Sequence, residues 1–594
     1  MERAEQKLEF TWSTEDLFPS DEAWFAAFEE AKSMPEQIAA FQGRLGESAG
    51  TLLSCLRLED EMELKLTDLG QYAHLRGDED TRVAKYQDMM AQLTALYVQI
   101  STAGSYQSNE ILAIPDEVLE GFYNACPELA VYRRALDQVR RRRAHILSPA
   151  EENLLAGAGD LAGGPDNIYS MLNNADLTFP DALDSNGTAH AVTHASFVPL
   201  LYSPDRTLRE SAYRSLYGVY GQFRNTSAAV LSAQMKQLLF FSRARKYPSP
   251  LAAALDGNEV PEAVYHNLID AVHQNLPKLH RYTALRKRVL GVEELRFWDL
   301  YTPMVGDVEM KIPYEQAKAL TLEALKPLGE DYLKVLREGY GNRWIDVYEN
   351  TGKCAGAYSS GVRPHPYVLL NYQGTLNDAF TLIHEMGHSL HSWFSNAKQP
   401  TVYSQYVIFV AEVASTCNEA LLMQHLLSVT TDRRQRAYLL NYFLEQFRAT
   451  LFRQTMFAEF EREISAMAAR GEGLTAEALC ALYRRLNEEY YGPSVVVDDQ
   501  IALEWARIPH FFYDFYVYQY ATGYAAAIAL SRRILSGEPQ AVEDYLAFLS
   551  GGCSADPITL LRRAGVDMAS SQPINQALEL FEGLLEELEG LIAD

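Results

Sequence analysis

No C-x-x-C pair occurs in the chain, and its six cysteines (Cys55, Cys126, Cys354, Cys417, Cys480 and Cys553) are scattered. That argues against a disulfide framework and predicts free thiols in a reducing compartment. No run of eighteen apolar residues is present, so no transmembrane helix is expected. The opening residues, Met1-Glu2-Arg3-Ala4-Glu5-Gln6-Lys7, hold no apolar stretch of the kind a secretory signal needs. The expected location is the cytoplasm. Basic residues are in deficit, with 52 Lys and Arg against 79 Asp and Glu, and the net charge of −27 argues against a general nucleic-acid surface; no membrane partner is expected either. Repeats, low-complexity segments and disordered linkers are absent too, so composition marks no sharp domain boundary.

What is present is the apolar content of an ordinary folded protein, 48%. At 594 residues, one very large globule or two to four subdomains are possible. Helical periodicity dominates. After a lead-in ending at Pro19-Ser20, segments 21–48, 50–76, 79–108 and 115–145 predict an antiparallel helical subdomain. Arg140 to Arg143 end one of these helices, where the helix dipole favours cations. Asp184-Ser185-Asn186-Gly187, between 176–179 and 191–194, predicts a short β-hairpin carrying His190 and His194. Segments 344–349, 354–360 and 366–371 predict short strands. They lead directly into the most informative stretch of the chain.

That stretch is Thr381-Leu382-Ile383-His384-Glu385-Met386-Gly387-His388-Ser389-Leu390-His391. Its H-E-x-x-H pattern puts His384 and His388 on one helical face, where two imidazoles can share a zinc ion. Glu385, one step round, can reach a metal-bound water without being a ligand. Thr375 and Asp378 predict an N-cap and a helix from about Thr375 to Ser395. Gly387 in mid-helix costs about 1 kcal/mol relative to Ala, which implies a close approach by backbone or substrate.

Catalytic zinc usually takes three protein ligands and one water. His391 lies about 10.5 Å along the helix from His384, too far to share the ion, and is expected to act behind the ligands. An acid on a later helix must complete the set. Within Phe409-Val410-Ala411-Glu412-Val413-Ala414-Ser415-Thr416-Cys417-Asn418-Glu419, Glu412 sits among apolar residues and needs a partner. Glu419 is near the same face and could bind zinc or orient a histidine. Glu412 is the better ligand from its surroundings. Gly356-Ala357-Tyr358 is a candidate strand edge for an extended peptide. Far downstream, Tyr513, Tyr516, Tyr520 and Tyr524 follow His510 at helical spacing, with 511–536 expected to be one helix. Phenols on one face can donate hydrogen bonds to an oxyanion or a substrate carbonyl, or can simply pack.

These motifs together resemble the thimet oligopeptidase family, most closely its oligoendopeptidase F branch. The likeness runs through Gly374-Thr375 to Trp393, Phe409 to Ser415, Ile508-Pro509-His510 with its tyrosines, Trp12 to Trp24, and Gly356 to Ser359. The resemblance implies a mainly α, clam-like metallopeptidase with a deep internal channel. A small β-sheet beside the metal helix and a short hairpin would complete it. It divides the chain into an N-terminal helical subdomain at 1–115, an oligopeptidase F-like region at 116–200 and a catalytic domain at 201–594. It also implies one zinc ion on His384, His388 and Glu412, with Glu385 as general base. His510, Tyr513 and Tyr520 would contact the transition state. Tyr516 and Tyr524 are alternative substrate contacts, and His391 and Glu419 lie behind the ligands. The expected activity is endopeptidase cleavage of short unstructured peptides by a monomer, with oligomers left open.

Two rival functions carry their own requirements. A carboxypeptidase or dipeptidyl carboxypeptidase needs a cation for the substrate carboxylate, for which Arg507 and Arg363 are candidates. A catalytically silent peptide-binding protein would not need His384, Glu385, His388 and Glu412 intact.

Overall fold

The computed structural model describes residues 1–306, 308 and 310–593. Helices make up 71% of the chain, and the seven strands among the described residues are only two or three residues long. They are β1 (Ala182–Leu183), β2 (Ala189–His190), β3 (Leu295–Arg296), β4 (Ile345–Asp346), β5 (Tyr358–Ser360), β6 (Tyr367–Leu369) and β7 (Val495–Val496). β1 and β2 form the expected hairpin, with Ala182 opposite His190. Its strands sit closer to the turn than expected. His194 lies outside it, as the first residue of helix His194–Leu201 with Thr193 as N-cap. No described helix is long and apolar enough to cross a membrane.

The chain divides into two compact units, each assembled from three separate segments. The first comprises Met1–Ala144, Met310–Leu422 and Leu530–Gly565. Its N-terminal helices close on a core that includes Trp24, Phe28, Leu52, Leu69, Met89 and Leu93. Ser48 caps the long helix Ala49–Glu79 by accepting the Thr51 N–H. The expected four helices are more broken than their periodicity implies: 21–48 resolves into Asp21–Ala31, Met34–Ala39 and turns. Arg140 donates to the carbonyls of Ile111 and Ile114 and pairs with Asp116, so part of the arginine run is structural.

In the same unit, β4, β6 and β5 form a three-stranded sheet in that order, β4–β6 parallel and β6–β5 antiparallel. Tyr358 lies opposite Leu369, and β5 is an edge strand. The sheet leads into helix Leu376–Lys398. Gly374, at φ +88°, supplies the turn, and Thr375 and Asp378 form a reciprocal capping box. This helix buries Leu382, Ile383, Met386 and Leu390 completely.

The second unit comprises His145–Glu309, Met423–Ala529 and Val566–Asp594. Its interior holds charge as well as apolar surface. Glu445 accepts from both Arg286 and Arg448, while Glu504 joins Arg453 and Arg507. Removing one partner from such a buried set leaves an uncompensated charge, at a cost of about 3–5 kcal/mol. Helix Tyr518–Leu535 also belongs to this unit up to Ala529.

Candidate metal centre

Helix Leu376–Lys398 packs against helix Ile408–Val429 at Gly387. A Cβ there would lie 2.5 Å from Ser415 Cα, 2.9 Å from its nitrogen and 3.0 Å from the Ala414 carbonyl oxygen. The close approach expected of Gly387 is therefore made by neighbouring backbone. It brings Glu412, one turn before Ser415, opposite His384 and His388.

The three side chains converge. His384 Nε2 and His388 Nε2 are 3.2 Å apart, and Glu412 Oε2 lies 3.4 Å from the first and 3.6 Å from the second. Ligand bonds of about 2.0–2.1 Å in a tetrahedron give donor–donor edges of about 3.3–3.4 Å. Two imidazoles and a carboxylate at these spacings fit a zinc-sized ion. This is the one cluster of three or more such donors among the described residues that could hold a metal.

Glu419 performs a different task. Its Oε1 is 2.5 Å from His384 Nδ1, the ring nitrogen facing away from Glu412. A carboxylate there can fix the ring and turn Nε2 toward His388 and Glu412. Burial alone would depress the His384 pKa, but hydrogen bonds to Glu412 and Glu419 outweigh it and push it up to about 10. Burial would raise Glu412, yet the two histidines hold it well below the carboxylate range. A bound cation would take over the role these protons play.

Glu385 is buried and makes no hydrogen bond or ion pair among the described residues. Burial pushes its pKa up, opposed by His384 and His388. That is the environment of a carboxylate suited to taking up a proton. His391 is 1% exposed and stacks on Tyr406, with ring centroids 3.8 Å apart. Burial, then the field of His388, pushes its pKa down to about 3, and its Nδ1 has no partner. It packs behind the helix as a neutral ring and bonds to neither metal-facing histidine.

The candidate peptide edge is tied to the same helix. Ser359 and Ser389 hydroxyls are 2.8 Å apart, and a Cβ on Gly361 would overlap Ser392 Oγ at 2.1 Å. Tyr358 is anchored by Asp78, which accepts its hydroxyl at 2.7 Å. Asn371 donates to the Gly356 carbonyl at 2.9 Å. Sequence reasoning missed Ser389, Asn371 and Asp78; only Ser389 carried a local signal, its place beside His388.

In the second unit, His510, Tyr513, Tyr516 and Tyr520 come together. His510 Nε2 lies 3.2 Å from the Tyr520 hydroxyl, and ring centroids of Tyr513 and Tyr516 stand 5.5 and 6.3 Å from the imidazole. Burial and then Arg453 depress the His510 pKa, favouring the neutral ring. One helix through 511–536 does not form. A 3-10 turn spans Pro509–Phe512, an irregular stretch follows, and the α-helix begins at Tyr518. Asp514 and Phe515 break the helix with φ of +52° and +61°. Gln234 donates to Asp514 Oδ1 at 3.0 Å, and the buried Glu461 accepts the Phe515 N–H at 2.7 Å. Tyr524 is buried and packs edge-on against Phe447.

The two cations considered for an exopeptidase differ in their partners. Arg507 pairs with Glu504 at 3.0 Å and donates to Tyr217, and Arg363 donates to the Gln399 carbonyl at 3.0 Å.

Comparison with known proteins places the chain in a family. Residues 199–580 match the model of Peptidase family M3, and residues 110–179 match that of Oligopeptidase F. Oligopeptidase PepF of Bacillus subtilis is 47% identical over 592 residues, covering 100% of this chain and 88% of that protein. A solved structure titled as a putative peptidase from Chlamydophila abortus superposes with a TM-score of 0.93 at 36% identity, covering 99% of both chains. The oligoendopeptidase-F structure from Enterococcus faecium gives 0.75 at 40% identity, covering 98% of this chain and 100% of that one.

Proposed function

The chain belongs to peptidase family M3, and from that premise we propose that it is a zinc-dependent endopeptidase hydrolysing short unstructured peptides. The observation that carries the proposal is the convergence of His384 Nε2, His388 Nε2 and Glu412 Oε2 within 3.2–3.6 Å, beside an unpaired buried Glu385. The names of the relatives, oligopeptidase and oligoendopeptidase, support the substrate class.

His384, His388 and Glu412 would hold the ion, with Glu419 fixing the His384 ring. When bound, zinc supplies a Lewis acid that polarises the scissile carbonyl and acidifies water. Glu385 accepts the proton of the attacking water and returns it to the leaving amine. Its burial keeps its proton affinity above that of a solvated carboxylate, which suits both transfers. Backbone groups at Gly356, Ala357 and Tyr358 bind the peptide main chain as an added strand, with little side-chain preference. His510, Tyr513 and Tyr520 supply hydrogen-bond donors to the substrate carbonyl as charge develops, and Tyr516 offers a further contact. Tyr524 takes no part, because its ring is buried in packing. The six cysteines are all free, which supports a cytoplasmic enzyme.

The test is Glu385→Gln on the full chain. It should retain metal and lose at least about 10²–10⁴ of turnover on an internally quenched peptide. Hydrolysis at the native rate would refute the general-base role. A peptide with a blocked C-terminus should still be cut internally by the native enzyme, and products seen only from free C-termini would point to an exopeptidase instead.

A further inference from the structure

Beside the edge strand lies a cleft of about 260 Å³ whose walls include Gly356, Ala357, Asn371, Tyr372, Asp378 and Thr381. Thr381 is three residues before His384 on one helix, an axial rise of about 4.5 Å. Side chains on one face of an extended peptide repeat every 6.6–6.8 Å or so. A peptide lying along Gly356–Tyr358 with its scissile carbonyl at the metal centre therefore directs a nearby side chain into this cleft.

The cleft is rich in acceptors and poor in donors. Asp378 Oδ2 accepts the N–H groups of Gln373 at 3.2 Å and Thr375 at 2.8 Å, which places the carboxylate without giving it a cation. Gln373, whose N–H binds Asp378, also donates its Nε2 to Glu349 Oε2 at 3.4 Å. Neither acid forms an ion pair among the described residues. Asn371 spends both Nδ2 hydrogens on the carbonyls of Cys354 and Gly356, leaving its oxygen as the group on offer. Thr381 gives its proton to the Asn377 carbonyl and the Tyr372 hydroxyl gives its own to Ile312, so both oxygens can only accept. The Lys353 ammonium behind the Leu370 carbonyl does not offset this charge, because it is fully buried and paired with Asp346 at 2.7 Å.

We propose that this cleft is a side-chain subsite selecting a lysine or arginine of the peptide within two residues of the cleaved bond, an inference that rests on the peptidase function proposed above. The Tyr372 ring would cover the aliphatic stem, and Asp378, Asn371 and Thr381 would receive the cationic head.

The experiment uses the full metal-loaded chain and internally quenched peptides differing only in Lys, Gln or Glu at one position, moved along both sides of the cleaved bond. At one position kcat/KM should rank Lys above Gln above Glu, spanning about tenfold or more, as expected for a partly solvated charge contact. Asp378→Asn keeps an acceptor for the turn and should shrink that span to under about threefold. Since Asp378 also caps the metal helix, Thr381→Lys provides an independent arm and should reverse the ranking. Equal rates for Lys and Glu at every position would overturn the subsite, as would a preference unchanged in both variants. If no peptide is cleaved internally, the peptidase function falls with it; cleavage without charge preference sinks the subsite alone.

Discussion

Gly387→Ala is the most exacting test of how the candidate metal centre is built. The added methyl would sit 2.5 Å from Ser415 Cα and 2.9 Å from its nitrogen. Carbon–carbon contacts are comfortable near 3.5 Å, so the two helices must separate by about 1 Å. Alanine favours the helix by about 1 kcal/mol over glycine, while overpacking costs about 1–3 kcal/mol, so the metal-free protein should lose up to about 2 kcal/mol. The larger effect falls on the metal. Glu412 rides on the displaced helix, and its distances of 3.4 and 3.6 Å to the histidines would grow by a similar 1 Å. Metal sites tolerate shifts of about 0.2 Å. Metal affinity should therefore drop by at least about tenfold to a hundredfold, read by competition against a chromophoric chelator, with melting of the metal-free form as control. Native metal affinity in Gly387→Ala would refute the claim that this contact sets the ligand geometry.

Other consequences are checked more simply. Glu419→Gln keeps all three metal-facing donors and should still weaken metal binding by about 10–100-fold, because the His384 ring loses its charged anchor; an unchanged affinity would show the ring is held otherwise. Chelation should lower the melting temperature, since at a free metal concentration a thousandfold above Kd binding contributes about 4 kcal/mol. His391→Phe should bind metal as the native chain does, which equilibrium dialysis would show, because the imidazole acts only as a stacked neutral ring. Burial pushes the Glu461 carboxyl up to about 8, against the hydrogen bond from Phe515. The folded state thus holds a proton the unfolded chain releases above about pH 4.5. Its contribution is complete below that value and lost as pH rises through about 8, a change on the order of 3–5 kcal/mol. Glu461→Gln should remove this slope and be the more stable form at pH 9, as urea unfolding at pH 6 and 9 would reveal.

The candidate metal centre is legible in the sequence where its chemistry is local. The four-residue step from His384 to His388 is a property of any α-helix, and mid-helix Gly387 announced a close neighbour before the neighbour was known. Choosing between Glu412 and Glu419 from spacing was harder, because both lie near His384. They meet it from opposite sides, one at Nε2 and one at Nδ1, and only tertiary packing assigns those nitrogens. The tyrosine segment exposes the limit more sharply. Its three- and four-residue spacing suits a helix, but Asp514 and Phe515 adopt left-handed conformations held by Gln234 and Glu461, about 280 and 54 residues away along the chain. Periodicity carries no trace of partners so remote. The seat of Asp378 in a capping box could be read from the sequence; its place in a charged cleft could not, because Asn371 and Gly356 reach it only through the pairing of β5 with β6.

The interleaving of the two units has a consequence for synthesis. Neither can be completed by the segment that starts it: the first needs 530–565, and the second needs the residues after 566. At translation rates of about 5–20 residues per second, the N-terminal helices wait roughly 20–80 seconds for their last partner to emerge. In the last part of that interval the H-E-x-x-H helix is already outside the ribosome while the segment that closes its unit is still being made. A nascent chain would thus be a latent hydrolase, switched on late in its own translation. Stalling it beyond Glu419 but short of residue 530 should yield a species that is readily proteolysed and inactive.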